Sequence, residues 1–283
     1  MHFPFTGEPY KPQMGLFPLD LNDWIEVDEH QASRLERKRE LLQKERDTVL
    51  RILPESHEAV LELRRILRGH LLAVHPDHYS ESDAGFLVKD TGRVFPEPDS
   101  APEALEQIAQ WTQEDWCVLS PRPPVRLIAG AVCFPSRWSL KDKIGRDSDA
   151  IHGPVPKFKE SIGRPTAGFL ERMSVDKPMW RLNWTIHDSD ELFCPGPHPG
   201  RTDLTESNVL EHTFLRMERQ TLRRLPGTQA VVFSIRNHVH PLKEVLKDPE
   251  RRRLLKESLL GLPEETADYK GMRHFFGLLK KAL

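Results

Sequence analysis

Residues 179–186, MWRLNWTI, alternate from end to end. Trp180, Leu182, Trp184 and Ile186 fall on one side of an extended chain, and Arg181, Asn183 and Thr185 on the other, because strand side chains repeat every second residue. A site on the polar side would meet both Arg181 and Asn183. Upstream, Val125–Phe134 (VRLIAGAVCF) is a near-continuous apolar run between Pro124 and Pro135, as expected of a strand buried on both faces. Downstream, AVVFSI (230–235) reads as a strand. The preceding EHTFLRMERQTLRRLP (211–226) reads as a strand or a helix, joined to it at Pro226-Gly227. FLVKDTGRVF (86–95) reads as a hairpin turning at Asp90, Thr91 and Gly92.

Helical patterns surround these strands. Gln31–Leu53 carries leucines and charges at helical spacing and stops at Pro54; a second helix follows Glu55-Ser56 and runs to Pro76, so the two are expected to pack as a hairpin. Pro102–Trp111 and Phe158–Met173 read as shorter helices, and the pattern from Pro241 to the C-terminus is helical again. An antiparallel sheet of five or six strands with helices around it is an α+β fold. Residues 1–29, rich in proline and aromatic side chains, suit an extended arm. That leaves 30–283 as one domain with helical N-terminal (30–76) and C-terminal (241–283) parts. HDSDELFCPGPHPGRTDLTESN (187–208) is a long polar loop of the kind that forms lids or stays disordered.

Composition excludes more than it asserts. With 41 basic and 43 acidic residues in 283, the net charge of −2 gives no global field to attract nucleic acid or an anionic membrane. The three cysteines are scattered, which fits a reducing cytosol and cannot supply the four ligands of an iron–sulfur cluster. No apolar run approaches the ~18 residues of a membrane span, and no export signal is evident, so a cytoplasmic protein is expected. Dinucleotide, Walker, nucleophile-elbow and zinc-protease motifs are absent. His70, His75 and His78 lack helical i, i+4 spacing, and Pro76 intervenes; His238 and His240 share one side of a strand but abut Pro241.

Between the strands lies PSRWSLKDKIGRDSDAIHGPVP (135–156). It sets Arg137 beside Trp138 and ends with His152 against Gly153, Pro154 and Pro156, a stiff loop on which a histidine either reaches a ligand or bonds a nearby carbonyl. QEDWCVL (113–119), PSRW (135–138), IHGPVP (151–156), RLNW (181–184) and MERQTLRRLP (217–226) followed by AVVFSIR (230–236) resemble, in order and spacing, segments of the heme-dependent oxidative N-demethylase alpha-subunit-like family. The resemblance implies a PAS-like sheet cupping heme b and a monooxygenase that removes a methyl group from a dimethylamine-like secondary amine. The amine would pass through a carbinolamine or iminium to formaldehyde, using O2 and electrons from separate FMN and iron–sulfur reductase subunits.

A heme site needs an axial donor, an apolar slot and cations for two propionates. His152 is the preferred axial ligand and His187 the next, ahead of His212, His238 and His240; Cys133 and Cys194 are competing thiolates. Arg137, Arg181 and Arg219 are candidates for the propionates, and Phe134, Trp138, Val155, Trp184 and Phe233 for the wall. Glu218 and Glu191 are candidates for accepting the proton of the amine. A heme-based sensor and a heme-free interaction protein are the competing expectations.

Overall fold

The computed structural model describes every residue except 1–2, 9, 11–12, 157, 159–162 and 198–199. Its centre is a seven-stranded antiparallel sheet. The strands are β1 (Phe17–Pro18), β2 (Leu50–Ile52), β6 (Asp115–Leu119), β7 (Leu127–Ala131), β8 (Met179–His187), β9 (Phe214–Arg224) and β10 (Val231–Pro241), in the order β1-β8-β9-β10-β6-β7-β2. A separate three-stranded sheet contains β3 (Tyr79–Ser82), β4 (Gly85–Val88) and β5 (Arg93–Phe95), the last two forming the hairpin read at Asp90–Gly92. The ambiguous segment before Pro226 is strand β9, paired along its length with β8 on one side and β10 on the other, so its backbone groups are satisfied without a helix.

Ten α-helices lie among the described residues: α1 (Gln31–Lys44), α2 (Arg46–Val49), α3 (His57–Val74), α4 (Ala101–Trp111), α5 (Ser148–Ile151), α6 (Arg164–Arg172), α7 (Leu242–Val245), α8 (Pro249–Leu260), α9 (Glu264–Tyr269) and α10 (Phe276–Ala282). Two expectations are corrected. The first helix does not reach Leu53; its end becomes β2, because Leu50 and Ile52 find ladder partners in Ala131 and Ala129 of β7. Nor do α1 and α3 form a hairpin of their own, since both pack on α4. Of the helix expected over Phe158–Met173, the described part is α6, with Pro165 in its first turn; residues 157 and 159–162 lie outside the described residues.

The two faces of the large sheet are covered unequally. Trp116, Val118, Ala129, Ala131 and Val232 join α1, α3 and α4 in the largest core, and Ile186, Leu215 and Met217 join α7–α10 in a second core on the same face. The opposite face carries Cys117, Glu218, Gln220, Leu222, Val231 and Phe233, all related by cross-strand register. Its cover is thinner: α5, α6 and the irregular chain from Val132 to Asp147, through small clusters around Leu140 and around Leu170 and Met173. Among the described residues, no helix is long and apolar enough to cross a membrane.

Candidate functional site

Mid-strand residues of inner strands are ordinarily sealed by the layer above them. On the thinly covered face, Gln220 of β9 and Phe233 of β10 are only half-buried although each has a neighbouring strand on both sides. The cover therefore leaves a hollow at this point. Arg181 and Asn183 of β8 open onto it, because they pair with Gln220 and Glu218 and share their face. Trp138, Ile144, Ile151 and Phe233 all pack against the small cluster around Leu140 on this face.

His152 stands at this rim, at the end of α5, a short helix capped by Asp147, whose carboxylate accepts from Ala150 N at 2.8 Å. Its Nδ1 lies 2.8 Å from the Ser148 carbonyl. A carbonyl only accepts, so Nδ1 carries the hydrogen and Nε2 keeps its lone pair. Nε2 has no hydrogen-bond partner among the described residues. The ring stacks on Phe158 with centroids 4.6 Å apart. Burial pushes its pKa below the ordinary histidine value; the Ser148 bond opposes this, and Lys143 and Arg181 add to it. The imidazole is therefore held neutral.

Arg181 makes no hydrogen bond or ion pair among the described residues, and its buried Nε is unpartnered. Burial pushes its pKa down, while Glu218 holds it up. Lys143 lies 5.0 Å from the Trp138 ring centroid and 3.3 Å from the Ile151 carbonyl, its pKa also lowered by burial. Glu218, buried in the floor, accepts on Oε2 from Asn183 Nδ2 at 3.2 Å and Gln220 Nε2 at 2.8 Å, and its Oε1 has no partner among the described residues. Lys270 reaches the same cluster from the C-terminal segment. Its Nζ is 3.3 Å from Asn183 Oδ1, and burial brings its pKa down to about 8 against the pull of Glu218.

Several sequence candidates are placed elsewhere. Arg219 and Trp184 project from the helix-covered face, since the register sets Arg219 opposite Leu182 and Trp184 opposite Met217. Arg219 donates to the carbonyls of Asp23 and Trp24 and lies 3.4 Å from Glu26, pinning the N-terminal arm. Trp184 packs on Phe5 at 4.6 Å. Phe134 belongs to the helix-side core. Arg137 pairs with Asp188 at 2.7 Å and donates to the Gly271 carbonyl at 2.8 Å. Gly271 must be glycine, because its φ is +76° and a Cβ there would strike the Arg137 guanidinium.

Arg137 lines a separate cleft of about 360 Å³ with His187, Glu191 and Cys194. His187 is buried and bonded to Ser136 Oγ at 3.3 Å, while exposed Glu191 accepts from Phe193 N at 3.0 Å. Burial pushes the Cys133 thiol up to about 12, far from a thiolate at neutral pH. His238 bonds Glu26 at 2.8 Å. Among the described residues no three His, Cys, Asp or Glu side chains gather as a metal site. Sequence reading missed Lys143, Gln220 and Lys270. Gln220 alone had a signal, two residues from Glu218 on one strand.

The sequence model described as "Haem-dependent oxidative N-demethylase, alpha subunit-like" matches residues 15–279. The chain belongs to that family. The match runs from β1 into α10, so it takes in the whole large sheet and every side chain of the hollow, Lys270 included. Family membership gives the hollow a class of chemistry to be tested against: heme dependence and oxidation at an N-methyl group.

Proposed function

We propose that this chain is a heme-dependent monooxygenase that oxidatively demethylates a small secondary amine, with the hollow over Gln220 and Phe233 as its heme and substrate site. The observation that carries the reading is the His152 imidazole: Nδ1–H committed to a backbone carbonyl and Nε2 open is the arrangement that orients a histidine as a metal ligand. The donor set fits heme b. His152 supplies the axial nitrogen, Trp138, Ile144, Ile151 and Phe233 an apolar wall, and Arg181 with Lys143 the cations for two propionates. A sheet cupping a cofactor on one face accords with a PAS-like fold.

Heme, when bound, supplies activation of O2 with electrons from elsewhere; the alpha-subunit-like description of the family supports separate flavin (FMN) and iron–sulfur reductase chains as that source. The chain's own residues bind and orient the amine. A secondary amine arrives as an ammonium ion, and Glu218 Oε1 is the open acceptor for one of its N–H groups. The buried carboxylate holds the nitrogen in place and takes up the proton when the amine is oxidised to the iminium level and hydrolysed to formaldehyde and a primary amine.

The test is an absorption spectrum of protein expressed with heme precursor, oxidised and then reduced under carbon monoxide, followed by a formaldehyde assay with dimethylamine and a reductase. A Soret band of histidine-ligated type with formaldehyde release supports the reading. A Soret band without turnover points to a sensor, and a colourless protein at full heme supply overturns heme use altogether.

A further inference from the structure

Lys270 occupies a position that the topology leaves open. β1 pairs with β8 only at Met179 and Trp180, so among the described residues the rest of that edge of β8 has no neighbouring strand, and its Trp184 carbonyl accepts from Lys270 instead. The turn between α9 and α10, made possible by the positive φ of Gly271, brings Lys270 to that edge. Thr185 Oγ1 anchors its carbonyl at 2.8 Å, and its Nζ donates to the Trp184 carbonyl and, at 3.3 Å, to Asn183 Oδ1. The ammonium can only donate and the Glu218 carboxylate can only accept. The Asn183 amide between them therefore has a single orientation: oxygen toward Lys270, NH2 toward Glu218 Oε2.

We infer that Lys270 is the positioning residue of the amine subsite: by fixing Asn183 it holds Glu218 through Oε2 and leaves Oε1 free to receive a secondary ammonium ion. The inference rests on the function proposed above. Without Lys270 the Asn183 oxygen loses its donor and the side chain is free to rotate off Glu218 Oε2, so the carboxylate is no longer held with Oε1 toward the hollow. Glu218 is also faced by Arg181, Lys143, Arg216 and Tyr269. The Lys270 cation itself repels a second ammonium, which works against binding while it is charged. Its pKa of about 8 separates the two effects, since the neutral amine above that pH still donates both hydrogen bonds.

The experiment measures dimethylammonium binding by calorimetry, and formaldehyde turnover, on heme-loaded protein at about pH 9, where dimethylamine is still protonated. Lys270→Met is expected to weaken binding and raise KM roughly tenfold with kcat little changed, through loss of the hydrogen bond that orients Asn183. Lys270→Gln, uncharged like the lysine at this pH and still a donor, is expected to keep most of the binding, and Lys270→Met combined with Asn183→Ala to be no worse than Asn183→Ala alone. A Lys270→Met protein that binds as tightly as wild type or tighter, or a double variant whose losses simply add, overturns the inference. So does a Lys270→Gln protein that is folded by circular dichroism yet binds as poorly as Lys270→Met. Wild-type protein that binds dimethylammonium in this Lys270-dependent way yet releases no formaldehyde supports the inference and sinks the demethylase reading. No dimethylammonium binding by wild type overturns both.

Discussion

His152 donates its Nδ1–H to the carbonyl of Ser148, four residues earlier, at 2.8 Å. The bond does two things that sequence spacing alone leaves open: it fixes the tautomer and points the ring out of α5. It leaves Nε2 as the nitrogen with its lone pair open. His152→Ala is expected to shift the Soret band and abolish formaldehyde release. Some pigment should remain, because enclosing several hundred Å² of porphyrin contributes on the order of 10 kcal/mol gross. His187→Ala, which loses the Ser136 bond in the separate cleft beside Arg137, should leave the spectrum unchanged. Optical spectra of the two variants decide it; an unaltered His152→Ala spectrum removes His152 from the axial role.

Arg181 and Arg219 are separated by their faces, and their substitutions should separate likewise. Arg181→Gln is expected to weaken heme retention by about 1.5–3 kcal/mol, the range for a charge-assisted hydrogen bond, with little effect on unfolding of the apoprotein. Arg219→Gln should do the opposite. It strips donors from the Asp23 and Trp24 carbonyls and leaves Glu26 without its guanidinium, costing about 1–3 kcal/mol of stability while heme stays bound. Heme transfer to apomyoglobin measures the first quantity and urea unfolding the second.

Glu218→Gln keeps the shape of the floor and removes its charge. KM for dimethylamine is expected to rise roughly ten- to a hundredfold while the heme spectrum is retained. Glu191, exposed and engaged with the Phe193 amide and Arg37, is not at this site, so Glu191→Gln should change KM less than about twofold. Steady-state kinetics on both variants, each checked for its Soret band, distinguish the two carboxylates.

What sequence could and could not reveal follows from the range of each interaction. β7, β8 and β10 were readable because apolar runs and strict alternation are local properties of the chain. β2 was not, since Leu50-Arg51-Ile52 continues a helical rhythm and becomes a strand only through Ala129 and Ala131 of β7. Alternation already sets Trp184 opposite Arg181. The face of Arg219 depends on the β8–β9 register, a long-range fact. His152, Trp138, Arg181 and Glu218 were picked out by residue type and motif, and they do lie on one face. Lys270 carries no such mark; tertiary packing of the Gly271 turn alone brings it to Asn183.

The fold also carries an acid-sensitive point away from the hollow. His70 packs edge-on against Trp24, with centroids 5.0 Å apart, and its buried Nε2 has no partner among the described residues. Burial, with His75 and Arg223 adding to it, pushes its pKa from 6.5 to about 4. A depressed histidine pKa favours the neutral form in the folded state. Its contribution is therefore complete above pH 6.5 and is lost as pH falls toward 4, the range in which only the unfolded chain takes up the proton. Discounted for partial exposure, the loss is about 2 kcal/mol. Replacing the ring with a nontitrating one of similar shape, His70→Phe, should flatten this part of the profile. Urea midpoints at pH 7.5 and pH 5 should then differ by less in the variant than in wild type, the remaining slope belonging to His75 and the paired carboxylates. Equal slopes in the two proteins would show that His70 is already free to protonate in the native state.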